Sequence, residues 1–155
     1  MFTLGHVLAF AGATLACLAC GVGSSIAVGR AGQAINGVLA EAPETKGLTV
    51  FQLLPSSQAI YGVLVAFLIL LQCGAFGGLK EVSVDAGLGY LLAALPISVV
   101  GFASAIWQGN VGNSAIRLLG KRPEAKPLLT AAVVETFAIF ALLISALMVL
   151  MGVQL

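Results

Sequence analysis

The sequence predicts an all-α membrane protein: four transmembrane helices arranged as two tandem copies of one helical hairpin. Three observations carry that prediction. Of the 155 residues, 60% are hydrophobic and only 8% charged, with a mean hydropathy of +1.11, whereas a soluble domain carries about a quarter charged residues. The charges leave apolar runs at 1–29, 47–79, 86–116 and, apart from Glu135, 127–155. Each is long enough for the roughly 20 residues that span a bilayer. The third observation is a repeat. At an offset of 80, Gly21, Ser24, Ile26, Gly29, Gly32, Leu39, Pro43, Glu44 and Lys46 meet identical residues from Gly101 to Lys126.

Eighty residues is one helix–loop–helix unit. The first hairpin is therefore expected over 1–79, with helices at about 4–41 and 47–75, and the second over 80–155, with helices at about 85–121 and 127–154. An even number of spans gives the two copies the same orientation. The opening stretch "MFTLGHVLAFAGATLACLAC" lacks a basic leader, and its apolar run continues past any plausible cleavage point, so it reads as the first span. Cys17 and Cys20 have no second pair and no polar ligand nearby, and they read as small packing residues. "GVGSSI" lacks the lysine and the preceding strand of a phosphate loop. His6 reads as a residue of the outer interface, Arg30 as a snorkelling side chain at the opposite end, and Asn36, Asn110 and Asn113 as interfacial.

The first and third spans carry small residues in register, Gly21, Ser25, Gly29 and Gly32, then Gly101, Ala105, Gly109 and Gly112. Small residues three and four apart form a smooth face on which helices approach closely in lipid. That face serves packing inside one bundle or a tight wall made by many chains. The net charge of +1 excludes nucleic acid as a partner. Lys46, Arg117, Lys121, Arg122 and Lys126 gather at the two linkers near 41–47 and 117–127, which predicts cytoplasmic linkers with both termini outside.

Glu135 is the residue that the fold does not require. It is the one charge between Pro127 and Leu155, and an ionisable group in hydrocarbon costs several kcal/mol unless something holds it. At an offset of 79 its counterpart in the first hairpin is Ser56, so only one copy has the acid. In the second span Leu54, Ser57, Gln58 and Tyr61 share one helix face, beside Pro55, which cannot continue the backbone ladder. Counted from Pro43 and Pro123, Gln58, Gln108 and Glu135 lie 12–15 residues along their helices, at about 18–22 Å. Carboxylate, amide, hydroxyl and carbonyl oxygens at one level suit a hard cation, and a single negative charge suits Na⁺ or H⁺. A small four-span antiporter and a passive membrane scaffold are the competing classes. The antiporter would want an aromatic cage and leaves the duplication unexplained.

"LLPSSQAIYG", "WQG" and "VVETFAIFALL", on a duplicated four-span hairpin, resemble the proteolipid subunit K of bacterial V-type ATPases, and the resemblance covers nearly the whole chain. It implies a rotor ring of many copies with the first and third spans inside, and a non-catalytic role beside ATP chemistry on other subunits. By motif match it implies Na⁺ held by the Leu54 carbonyl, Ser57, Gln58, Gln108 and Glu135, with Tyr61 hydrogen-bonded to the glutamate. H⁺ is the alternative cargo. The partners implied are further copies of the chain, a stator membrane subunit with an arginine, a central-stalk subunit at the basic linkers, and membrane lipid. Sodium members often have Thr where this chain has Ser57. Serine keeps the oxygen but lacks the methyl that stiffens the rotamer.

Overall fold

The computed structural model describes residues 3–152; the predicted hairpin limits at 1 and 155, and the predicted helix end at 154, lie outside them. Four helices are long and apolar enough to cross a membrane. The first is α1, Leu4–Glu41. The second is broken into α2, Thr49–Leu53, a 3₁₀ turn, Leu54–Ser56, and α3, Ser57–Gln72. The third is α4, Val84–Lys121. The fourth is α5, Leu128–Ala132, and α6, Glu135–Leu147, followed by a π-helical turn at Met148–Gly152. The chain is all-helical, a multi-pass membrane protein of two hairpins.

The helix ends follow from local chemistry. Ser83 caps α4 by accepting the Ala86 N–H at 3.1 Å, and Asp85 adds a negative charge to its first turn, where the helix dipole favours one. Gly74, at φ 71°, takes the left-handed position past the end of α3. The N–H of Ala75 then reaches the Leu70 carbonyl and that of Gly74 the Leu71 carbonyl, a Schellman ending that only a residue without a Cβ adopts freely. The duplication reaches the turns. Ala42 N–H donates to Val38 and Thr45 N–H to Ala42, and eighty residues on Arg122 donates to Leu118 and Ala125 to Arg122.

α1 and α4 run side by side, held apart by little more than backbone. A Cβ on Gly109 would stand 2.6 Å from the Ala27 methyl, and one on Gly101 would stand 2.5 Å from Cys20 Sγ. Lipid tails are as apolar as side chains, so helices associate here through close packing and hydrogen bonds rather than water release. α3 covers the groove between α1 and α4. Its Val65 and Ile69 enter one buried cluster with Ala13, Ala16, Tyr90, Ala93 and Ile97. α6 packs on α4, its Ala138, Ala141 and Ser145 buried.

At the end away from the basic turns, Thr3 N–H donates to His6 Nδ1 at 3.1 Å, and His6 Nε2–H donates to the Lys80 carbonyl at 2.9 Å. His6, read from sequence as an interfacial residue, is 1% exposed and ties the start of α1 to the connection between the hairpins. Pro96 interrupts the ladder of α4. One turn is reinforced from outside: the Ile97 N–H donates to Ser145 Oγ on α6 at 3.1 Å. Ser145→Ala removes that buried bond, which costs about 0.5–1.5 kcal/mol. The expected result is a lower temperature of protomer unfolding in detergent by circular dichroism, with Ser145→Thr restoring it.

Candidate functional site

The second span of each hairpin breaks at the same level, and each break presents backbone oxygen. In the first hairpin Pro55 has no N–H to give, so the chain tightens into the 3₁₀ turn. The Leu54 carbonyl then accepts the Ser57 hydroxyl at 2.9 Å. In the second hairpin the break falls at 133–134, between α5 and α6, at the 79-residue offset from Leu54 and Pro55 and without any proline. Side chains of α4 hold it open. Gln108 Nε2–H donates to the Ala131 carbonyl at 3.2 Å, and the Ser104 hydroxyl donates to the Val134 carbonyl at 3.0 Å. Glu135 follows directly as the first residue of α6.

These two breaks face each other across α4. Gln58 and Gln108 are both 0% exposed, and Gln58 Nε2–H donates to Gln108 Oε1 at 2.8 Å and to Ser104 Oγ at 3.4 Å. Ser57 Oγ lies 3.4 Å from Gln58 Oε1. The Tyr61 hydroxyl donates to Glu135 Oε1 at 2.5 Å. The structure thus brings together all six residues that the sequence singled out: Leu54, Ser57, Gln58, Tyr61, Gln108 and Glu135. Burying two amides is tolerable because each is bonded. An unpaired amide in hydrocarbon would cost several kcal/mol.

Oxygen dominates the donor set: one carboxylate, two amide oxygens, one hydroxyl and the Leu54 carbonyl. Among the described residues no three of His, Cys, Asp and Glu come together. Cys20 is spoken for, its thiol directed at the Ile97 carbonyl at 3.2 Å. Ser104 is the member that sequence reasoning missed. Its identity with Ser24 marked it as part of the repeat, while its tie to Gln58 and Val134 depends on three helices meeting.

The ring-packing residues divide. Gly101, Ala105, Gly109 and Gly112 are buried, with Gly101 against Cys20, Gly109 against Ala27 and Gly112 against Phe51. Gly32 meets the Gln52 side chain, whereas Gly21 and Gly29 face open space and Ser25 is exposed.

The ATP synthase C-subunit profile matches residues 11–69 and again 91–148, one match per hairpin. The chain belongs to the ATP synthase C-subunit family. It is 40% identical over 149 residues to the V-type sodium ATPase subunit K of Enterococcus hirae, covering 94% of this chain and 92% of that one. It is 42% identical over 133 residues to the A-type ATP synthase subunit K of Methanocaldococcus jannaschii, covering 83% of this chain and 57% of that one. It is accordingly a non-catalytic rotor proteolipid of the V- and A-type rotary ATPases, and the family implies a ring of such proteolipids within the complex.

The Tyr61 hydroxyl anchors one carboxylate oxygen, so Tyr61→Phe frees Glu135 to turn. A hydrogen bond to a charged group is worth about 1.5–3 kcal/mol. Reaction of Glu135 with dicyclohexylcarbodiimide is expected to quicken by ~10-fold or more, read by mass spectrometry of the modified chain.

Proposed function

We propose that this rotor proteolipid carries Na⁺, bound at Glu135 with the Leu54 carbonyl, Ser57, Gln58 and Gln108 as further ligands and Tyr61 orienting the carboxylate. The observation that supports it best is the pair of buried glutamines joined at 2.8 Å beside Glu135. A proton on a carboxylate needs one acceptor at most. Two amides held in hydrocarbon at the level of an acid instead supply neutral oxygen ligands to a cation larger than a proton. The likeness to a V-type sodium ATPase subunit K points the same way.

The mechanism is an exchange of solvation. Water in an access path of the stator delivers Na⁺ to Glu135. Protein oxygens replace the hydration shell, the ion and carboxylate cancel in charge, and the neutral site rotates past lipid. An empty carboxylate would pass only at a cost of several kcal/mol, which keeps unloaded sites out of the lipid-facing sector. A stator arginine would displace the ion on re-entry by pairing with Glu135. One charge moved through 100 mV is worth about 2.3 kcal/mol, so several ions must pass for each ATP. The basic turns around Lys46 and Lys121–Lys126 set the cytoplasmic side, where a central-stalk subunit would dock, with both termini outside.

Carbodiimide takes the carboxyl proton on nitrogen and its central carbon is then attacked by the carboxylate oxygen, and bound Na⁺ excludes that proton. Na⁺ is therefore expected to protect Glu135 from labelling in a saturable way. Protection absent at any Na⁺ concentration, with labelling still slowed by alkali, would indicate H⁺ as the cargo. Gln108→Leu should raise the Na⁺ concentration for half-protection by ~10-fold or more, the loss of one buried ligand. In reconstituted complex, Glu135→Gln should abolish ATP-driven ²²Na⁺ uptake; undiminished uptake would rule out Glu135 as the carrier.

A further inference from the structure

A serine inside an α-helix ordinarily turns its hydroxyl back onto a carbonyl of its own helix. Ser25 donates to the Val22 carbonyl, Ser98 to Ala94 and Ser114 to Val111. Ser104 does not. It is 5% exposed, and its hydroxyl leaves α4 for the Val134 carbonyl at 3.0 Å. A hydroxyl has one proton to give. What Ser104 Oγ has left for Gln58, whose Nε2 lies 3.4 Å away, is a lone pair.

The direction of every bond in this cluster follows from its two ends. A backbone carbonyl accepts and never donates. Ala131 therefore requires the Nε2 edge of Gln108, at 3.2 Å, which turns Gln108 Oε1 to the other side. That buried oxygen needs a donor in turn, and receives the Gln58 Nε2–H at 2.8 Å. Val134 fixes Ser104 as an acceptor toward Gln58 by the same rule. Both N–H groups of Gln58 are then engaged, one on Gln108 and one on Ser104. Its Oε1 is left facing the side where Ser57 Oγ lies at 3.4 Å. Reversing the Gln58 amide would set oxygen against oxygen at both contacts.

We propose that Ser104 is a positioning residue for cation binding: with the Ala131 and Val134 carbonyls it fixes the Gln58 amide so that oxygen, not N–H, faces the cation. The identity of that cation rests on the sodium reading above; the orientation of the amide does not. An amide offers a cation a ligand at one edge and a repelling donor at the other, so its orientation matters as much as its presence. Holding the amide plane before the ion arrives also removes the cost of ordering it on binding. The break at 133–134 thereby acquires a second use. It supplies the terminal acceptors that give the network its direction. Ser104 acts through Gln58 rather than as a ligand.

Two readouts on assembled rings test this. The first is proton-detected solid-state NMR in lipid, with the Gln58 side-chain amide assigned by its loss in Gln58→Leu. Ser104→Ala should move one Gln58 amide proton upfield and leave in place the one bonded to Gln108. Both protons unmoved, or both moved alike, would overturn the positioning role. The second is carbodiimide labelling of Glu135. Ser104→Ala should raise the Na⁺ concentration for half-protection by roughly 3–10-fold, the contribution of one net hydrogen bond. Ser104→Cys, close in size and a weaker acceptor, should shift both readouts in the same direction, and Ser104→Thr, which keeps the hydroxyl, should restore them. Added to Gln58→Leu, Ser104→Ala should raise half-protection no further, because the two residues act as one unit. A full further rise in that background, no rise in Ser104→Ala alone, or an equal rise in Ser98→Ala would overturn the proposal. Absence of Na⁺ protection in the unaltered chain would instead overturn the sodium reading, and the NMR readout would then decide the orientation by itself.

Discussion

Hydrocarbon offers no hydrogen bonds, and at the level of Glu135 that single fact governs the whole arrangement. A carboxylate, two amides and two broken helices meet there, and each polar group must find a partner in protein or in a bound cation. Tyr61 meets the carboxylate, Gln108 meets Gln58 and the Ala131 carbonyl, and Ser104 meets the Val134 carbonyl. Remove one and another is left bare. The network is therefore both a structural clasp between three spans and a ready-made shell of oxygens.

The same constraint explains why the outer helices are broken where they are. An intact α-helix consumes its own carbonyls and has none to lend to a ligand. Pro55 opens one helix covalently. The other is opened by α4, whose Gln108 and Ser104 draw carbonyls away from the ladder. Two different chemical devices at equivalent positions of the repeat give the same result: backbone oxygen offered within the first third of the span, tolerated because it is turned inward.

Duplication followed by divergence accounts for the asymmetry of the molecule. The inner helices kept their small residues in both copies, because close approach is what holds helices together in lipid. The outer helices did not keep their polar residues. Glu135 faces Ser56 across the repeat, and Tyr61 faces Phe140. The first hairpin contributes Leu54, Ser57, Gln58 and Tyr61, the second Gln108 and Glu135, and the cluster exists only where the two meet.

Fold class, span number and repeat were legible in the sequence because they rest on composition and period, which are local properties. Six residues of the candidate site were legible too, since helical spacing puts Leu54, Ser57, Gln58 and Tyr61 on one face and residue counting puts Gln108 and Glu135 at their depth. Ser104, the carbonyls of Ala131 and Val134, and the break at 133–134 were not. Nothing in "TAAVVETF" forbids an unbroken helix; the break arises from hydrogen bonds donated by α4, more than twenty residues away in the chain. The division of the glycines was equally hidden, because Gly29 and Gly109 occupy matching places in the repeat and opposite surroundings in space. Sequence by itself determined which segments seek lipid and which residue types share a depth, since transfer free energy and helical rise act one helix at a time. Tertiary structure alone decided which polar atoms satisfy one another and which small-residue face stays open, since both depend on which helix arrives alongside.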